Sequence, residues 1–419
     1  MNKKLFSQVW NERGHNVSLF IELLLVSVVM WYVVDMLYVR LSVYLEPLGF
    51  NTEHCYLLGM SSLDKKSPEY IASRDTSTAI AADVAELMVR LSHRPEIEAV
   101  SLSRNSYPYN GSNSSQSVKL DTMSFGTDQN WTICRVVSPD FFRVFRYHGE
   151  RGESPEQLSK MLNGDHVLMA SDNCFSTYGR KMTDYIGKGF KFGEDSTRLY
   201  TLVASLQPVR YSDYQEAKNC FSVVSLFPQE YYDTHEELCV RVRENMDNNF
   251  IGNLKHDSER QLRVGNIFIT NIRSFADIRK SYEMGWTTRI KTFAVGASFL
   301  LINVFLGLLG TFWFRTQRRK SEIALHKALG ATNRNVFMRL FSEGVLLLTL
   351  STIVAIVADL NLAIAELNQY HNGTTLEADR FIICVMISYV LMVGMILLGI
   401  LFPARKAMRI QPAEALHEE

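Results

Sequence analysis

Four apolar runs constrain this chain more than any other feature. Val17–Tyr38, Ile290–Phe314, Val345–Ala365 and Phe381–Phe402 each match the length of about 20 residues that a helix needs to cross a bilayer. Residues 39–289, between the first and second runs, have ordinary globular composition. The averages conceal this: 47% apolar residues and a mean hydropathy of −0.03 read as a soluble protein. The sequence instead predicts a membrane protein of four transmembrane α-helices, with a large α+β extracytoplasmic domain inserted between spans 1 and 2. The expected division is an amphipathic N-terminus at 1–16, spans at 17–38, 290–314, 345–365 and 381–402, and an outer domain on helical stalks at 39–289. A loop at 315–344, a short loop at 366–380 and a tail at 403–419 complete it. The first run exceeds a signal-peptide core and contains Glu22 and Asp35, so a retained anchor is expected.

Lys and Arg near the span ends set the orientation. The loop at 315–344 holds seven of them, and the two termini hold Lys3, Lys4, Arg13, Arg405, Lys406 and Arg409. The loop at 366–380 has only Arg380. Both termini and the basic loop are therefore expected in the cytoplasm, and the large domain outside it. Residues 45–285 carry 27 Lys and Arg against 32 Asp and Glu, so nothing suggests a nucleic-acid partner. Five of the six cysteines lie in the outer domain (Cys55, Cys134, Cys174, Cys220 and Cys239). That fits an oxidising compartment without establishing any pairing.

Within the outer domain, Ile80, Val84, Leu87, Met88 and Leu91 recur at helical spacing behind a cap at Thr78, and "EAVSLS" alternates as a strand. An earlier strand is expected at "HCYLLGM". The same order returns later, with strands at "ELCVRVR" and "GNIFITNI" around a helix in "NNFIGNLKHDSERQL". Two such β-α-β units can merge into one split, porter-like layer. The middle of the chain, with strands at "DHVLMA" and "LYTLVASL", would then form an inserted second subdomain. From Ser274 a helix is expected to run on into span 2.

Catalytic signatures are missing from the sequence. It has no G-x-x-x-x-G-K-[ST] phosphate loop, no H-E-x-x-H and no G-x-S-x-G. No catalytic residue, metal ligand or cofactor is therefore assigned, and the chain is read as a non-enzyme. Four ionisable residues fall in or beside the spans: Glu22, Asp35, Glu343 and Asp359. Each lies near a predicted span end, so interfacial placement or a local ion pair is expected rather than a proton path.

The stretch "RRKSEIALHKALGATNRNVF" sits between two spans. On a helical wheel Ala324, Leu325, Ala328 and Leu329 share one arc, expected to pack against the span ends. Glu322, His326 and Lys327 share the other, with Ile323 among them. Gly330 suits a left-handed helix terminus and Thr332 the cap of the next helix. Two readings are open, an interfacial helix that satisfies lipid and a docking knob for a cytoplasmic partner.

These residues carry a resemblance. "RRKSEIALHKALGATNRNVFMRLFSEGVLLLTL" resembles the cytoplasmic loop and third span of MacB/FtsX-like ABC transporter permeases. "FPARKAMRIQPAEALHEE" looks like the same family's C-terminal motif. "SPDFFRVFRYHGERGE" and "VLMASDNCFSTYGRKMTDYIGKGFKF" are similar to its periplasmic core motifs. The resemblance implies that Glu322, Ile323, Ala324, Leu325, Lys327, Ala328, Leu329, Gly330 and Ala331 couple the chain to a separate ABC ATPase subunit. It implies a second permease chain, a homodimer or a paired paralogue, with ATP and Mg bound by the ATPase and not here. Mechanotransmission would follow, with stalks near Tyr44 and Tyr282 changing their separation. The role would be export of a drug, peptide or lipid-linked substrate, with a periplasmic adaptor and an outer-membrane duct as further partners. The alternative it leaves open is an FtsX-like regulator of a cell-wall hydrolase.

Overall fold

A computed structural model describes residues 13–112, 117–120, 123–125, 132–164, 166–192, 199–258, 262–318, 325 and 329–408. The chain divides into two compact units. One comprises residues 1–42 and 288–419, the other Val43–Thr287.

The membrane unit is built on four long helices: α1 (Arg13–Leu45), α7 (Met284–Arg318), α8 (Asn333–Ile364) and α9 (Ala378–Met408). Each contains a segment long and apolar enough to span a bilayer. Every backbone N–H and C=O in hydrocarbon must be satisfied internally, and a continuous helix achieves that. The helices outrun the apolar runs at both ends. One consequence is that Arg380 belongs to α9 and not to a connecting loop. Leu19, Leu23, Trp31, Leu348, Cys384 and Ile396 form the centre of this unit's apolar core.

The outer unit is a single sheet of eleven strands. Its order is β11-β1-β10-β2-β5-β9-β6-β8-β7-β3-β4. The first four strands in that order are β11 (Ile267–Ser274), β1 (Cys55–Ser62), β10 (Glu237–Val242) and β2 (Ile97–Arg104), all antiparallel to their neighbours. They come from the two β-α-β segments at the two ends of the domain. α2 (Ser77–Ser92) follows β1, and α5 (Phe250–Ser258) precedes β11. The cap of α2 is Thr76, whose hydroxyl accepts from Ala79 N at 3.2 Å, two residues ahead of the expected Thr78. Side chains alternate along each strand. Leu238 and Val240 of β10 therefore join Val84, Leu87 and Leu91 of α2 in one apolar layer. Cys239 faces the opposite layer, with Phe141, Phe145 and Phe275.

The middle of the chain does not form a separate sheet. β5 (Thr132–Val137) pairs with β2 through Ser103↔Val137 and Arg104↔Val136. β9 (Phe221–Leu226), β6 (Val167–Ser171), β8 (Leu199–Leu206) and β7 (Gly189–Phe192) continue the same sheet, and β3 (Val118–Leu120) and β4 (Met123–Phe125) close the order. An exposed edge on β2 would leave unpaired N–H and C=O groups, and β5 covers it. This segment does have its own apolar cluster around Phe175, Phe190 and Leu202. Two short helices, α3 (Phe141–Phe145) and α4 (Pro155–Met161), pack beside the sheet. All six cysteines are buried, and none forms a disulfide. Burial pushes the Cys55 and Cys174 thiols up to about 12, which makes them poor nucleophiles.

Leu87 is fully buried between α2 and the sheet, whereas Val89 on the same helix is 48% exposed. Leu87→Ala is expected to lower the unfolding free energy of the full chain by about 2–4 kcal/mol. Val89→Ala should change it by less than about 0.5 kcal/mol. Denaturant unfolding followed by the far-ultraviolet signal of the sheet measures both.

Candidate functional site

The first candidate is the connection between α7 and α8. Leu325 is helical, and its carbonyl accepts from Leu329 N at 3.0 Å. Gly330 then takes φ +92° in open space, a conformation in which a Cβ is strained. Thr332 caps α8 by accepting from Asn335 N at 3.3 Å. Ala331 packs with Val336 and Leu340. Glu322, Ile323, Ala324, Lys327 and Ala328 lie outside the described residues. One expectation is corrected here. Leu325 and Leu329 do not pack against span ends; they are 52% and 77% exposed. Spaced i and i+4, they share one stripe of the helix. Among the described residues, nothing covers that stripe.

The intramembrane carboxylates divide by partner. Asp35 of α1 receives two bonds from Arg380 of α9, Nε to Oδ1 at 2.7 Å and a terminal nitrogen to Oδ2 at 2.6 Å. Both side chains are 2% exposed. Asn368 donates to the same Oδ2 at 3.1 Å, and Arg380 also donates to the Gln369 carbonyl. The bidentate fork suits a planar guanidinium. Glu22 is half-buried on α1 and accepts from the Thr311 hydroxyl of α7 at 3.0 Å. Glu343 and Asp359 are buried inside α8 and not at its ends. Asp35, Glu343 and Asp359 are therefore buried within the chain, and Asp35 forms a local ion pair, one of the two expectations. A charge in such surroundings requires an internal partner.

A third cluster was not legible in the sequence. The segment 208–217, "PVRYSDYQEA", bonds to the two stretches of chain that flank the outer unit. On one side Arg210, fully buried, donates through its backbone N to Leu48 O at 2.9 Å and through its guanidinium to Glu46 O at 2.6 Å. Glu46 in turn accepts from Ala217 N at 3.0 Å, and the Tyr44 ring lies 5.9 Å from that of Tyr214. On the other side Asp213 pairs with Arg279 of α6 (Phe275–Tyr282) at 2.8 Å and accepts from the Tyr109 hydroxyl at 2.8 Å. Asp213 N donates to Glu283 Oε1 at 2.9 Å. The helix expected to run unbroken from Ser274 is divided at Glu283, which ends α6 before α7 begins. Glu283 is held by the Asp213 amide, and its other carboxylate oxygen is buried without a partner. Burial holds the Glu283 carboxyl above the ordinary range, and the nearby Asp213 charge adds to this, against the opposing Asp213 amide. Only the fold joins residues 46, 213 and 283, which no sequence periodicity connects.

Residues 294–412 match the family model for the FtsX-like permease C-terminal domain. Over this segment, less than a third of its length, the chain is similar to FtsX-like ABC permeases. The match takes in the loop closed by Gly330 and most of the membrane unit, including Glu343, Asp359 and Arg380, but not α1 or the outer sheet. No curated protein matches the chain. The FtsX-like match and the four apolar helices make it a multi-pass membrane protein. Permeases of this kind work with ABC ATPase partners.

Two predictions follow from these contacts. Removing one member of a buried ion pair strands the other, at a cost of about 3–5 kcal/mol. Arg380→Met should therefore destabilise the permease far more than the double variant Asp35→Leu with Arg380→Met. Thermal unfolding in detergent compares them, and equal losses would mean that the pair is not coupled. The second concerns Glu283. Its raised carboxyl lets the folded chain keep a proton that the unfolded chain loses near its ordinary value of about 4.3. Its contribution to stability is present below that pH and is lost as pH rises through the folded value. Glu283→Gln should match the parent near pH 4 and become the more stable protein by pH 8. Parallel pH profiles would contradict this.

Proposed function

We propose that the chain is the permease subunit of an ABC transporter that works by mechanotransmission in a bacterial inner membrane. ATP and Mg bind to a separate cytoplasmic ATPase, which docks on the loop around Glu322–Ala331. Motion imposed there is passed along α1 and α7 to the outer unit, which handles substrate in the periplasm. The observation that carries this reading is the closed loop inside the matched domain. A helical turn with two exposed leucines ends at a left-handed glycine. An exposed apolar stripe on a basic loop is what a docking helix offers a protein partner.

Two further observations support it. Both passages between the units fall within helices, at Ser42–Val43 in α1 and Thr287–Thr288 in α7. Such segments transmit displacement, the basis of hinge and shear transitions. α7 also exposes Val295, Phe299 and Phe314, each about 70%. A second permease chain, identical or paralogous, would cover part of that face, and lipid the rest. The contacts of segment 208–217 refine the expected motion. Tyr44 and Tyr282 both pack on that segment, at Tyr214 and Tyr211. A change in the separation of the stalks near Tyr44 and Tyr282 would work against these two ring contacts. Export of a drug, peptide or lipid-linked substrate is favoured by the large sheet unit of Val43–Thr287, with a periplasmic adaptor and an outer-membrane duct as further partners. Activation of a cell-wall hydrolase is the second reading, favoured by the FtsX-like match itself.

The permease should co-purify with an ABC ATPase encoded beside it. Ile323→Asp and Gly330→Val should each reduce coupled transport at least tenfold, a change of about 1.4 kcal/mol or more in coupling. Both proteins should remain in the membrane. Gly330→Val acts by penalising positive φ. Transport assays in vesicles, with ATP hydrolysis measured in parallel, decide it. Undiminished transport by both variants would leave the loop a lipid-facing helix only.

A further inference from the structure

The bundle core contains a second polar group, distinct from the Asp35–Arg380 pair. Ser27 Oγ and Trp31 Nε1 of α1, with Thr352 Oγ1 and Asp359 Oδ1 of α8, are all buried without a hydrogen-bond partner. Trp31, Asp359 and Ser27 are 1%, 2% and 6% exposed. All four residues line one cavity. Its other polar walls are already engaged: Ser388 donates to Cys384 O at 2.7 Å, and Tyr389 bonds Thr349 at 2.9 Å. The remaining walls are apolar, among them Ala355, Val385 and Met392. Buried polar atoms without partners are uncommon, and four around one space point to something that fills it.

The size of the space selects the occupant. About 10 Å³ is open to the centre of a water-sized sphere, close to the minimum of roughly 10–15 Å³ that one water needs. No organic ligand fits. The polar atoms select further. An indole N–H donates only, a carboxylate oxygen accepts, and a hydroxyl does either. A water can accept from Trp31, donate to Asp359 and use Ser27 and Thr352 for its remaining bonds. A metal cation would face the positive end of the indole N–H, and among the described residues no cluster of His, Cys, Asp or Glu could hold one.

We propose that this cavity is a binding site for one ordered water molecule, which bridges Trp31 and Ser27 of α1 to Asp359 and Thr352 of α8. The water fastens the first membrane helix to the third, as the Asp35–Arg380 pair fastens the first to the fourth. A fastening made through a water is released by a small shift of one helix along another, which a direct side-chain contact resists.

Nuclear magnetic resonance of the full chain in nanodiscs, with ¹⁵N-labelled indoles, tests it. The chain has five tryptophans, and Trp31→Phe assigns the Trp31 signal. The Trp31 indole proton is expected to show a cross-peak to a bound water. Asp359→Asn, which keeps an acceptor, retains it, and Asp359→Leu abolishes it. The other four indole signals stay in place in each variant, which reports an intact fold. Should Asp359→Leu not fold, Thr352→Val keeps the volume and should speed exchange of the Trp31 indole proton severalfold. The proposal is overturned by a parent protein with no cross-peak, or by a cross-peak that survives Asp359→Leu. An exchange rate unchanged in Thr352→Val, or a Trp31 signal that titrates saturably with sodium or potassium at constant ionic strength, would overturn it too.

Discussion

The Asp35–Arg380 ion pair is the constraint around which the membrane unit is arranged. Neither charge is accessible to water, and among the described residues they bond each other, Asn368 and Gln369, while one terminal nitrogen of Arg380 is buried without a partner. Such a pair contributes little net stability compared with well-packed apolar residues. It does impose geometry, because any register that separates α1 from the start of α9 strands two charges in hydrocarbon. Trp31 lies one turn before Asp35, and its ring packs 5.4 Å from that of Phe381. The pair thus fixes the face of α1 that meets α9. The same face carries Trp31 toward α8, and the half-buried Glu22 reaches Thr311 of α7. One helix is thereby tied to α9 and α7 by direct polar contacts and packs on α8 through the apolar core.

The outer unit obeys a different rule. Its sheet is buried on both faces, and its stability comes from alternating side chains on β10 and β1 that feed two apolar layers. At segment 208–217, Arg210 and Asp213 bind backbone and carboxylate groups from both flanking stretches. A loop held by so many directional bonds resists deformation within the outer unit.

Much of this was legible from local pattern. The four apolar runs locate the long helices, and the spacing of Val84, Leu87 and Leu91 gives the buried face of α2. The alternation in "ELCVRVR" gives a central strand. Thr332 and Gly330 declare a cap and a left-handed terminus because those conformations favour those residue types. What escaped was long-range. Nothing in the sequence says that Asp35 meets Arg380, since they are 345 positions apart and the arginine reads as a loop charge. Nothing marks segment 208–217, which has no period and bonds to residues about 165 positions before it and 70 after. The continuation of the sheet from β2 to β5 was equally hidden, because it depends on two residue pairs only. The outward turn of Leu325 and Leu329 was missed because a helical wheel gives their shared stripe but not the direction it faces.

The account stands on one claim, that ATP binding below the membrane moves the outer unit as a body. The most direct measurement is a distance. Glu230 is exposed on the outer unit, and the native cysteines are all buried, so Glu230→Cys accepts a spin label selectively. With the label on each of the two permease chains, in the complex with the ATPase, electron–electron resonance reads the separation in the nucleotide-free and ATP-bound states. The account predicts two distinct separations, one for each state. One and the same separation in both states, with substrate crosslinking to the centres of α7 and α8, would show a conventional pathway between the spans and contradict it.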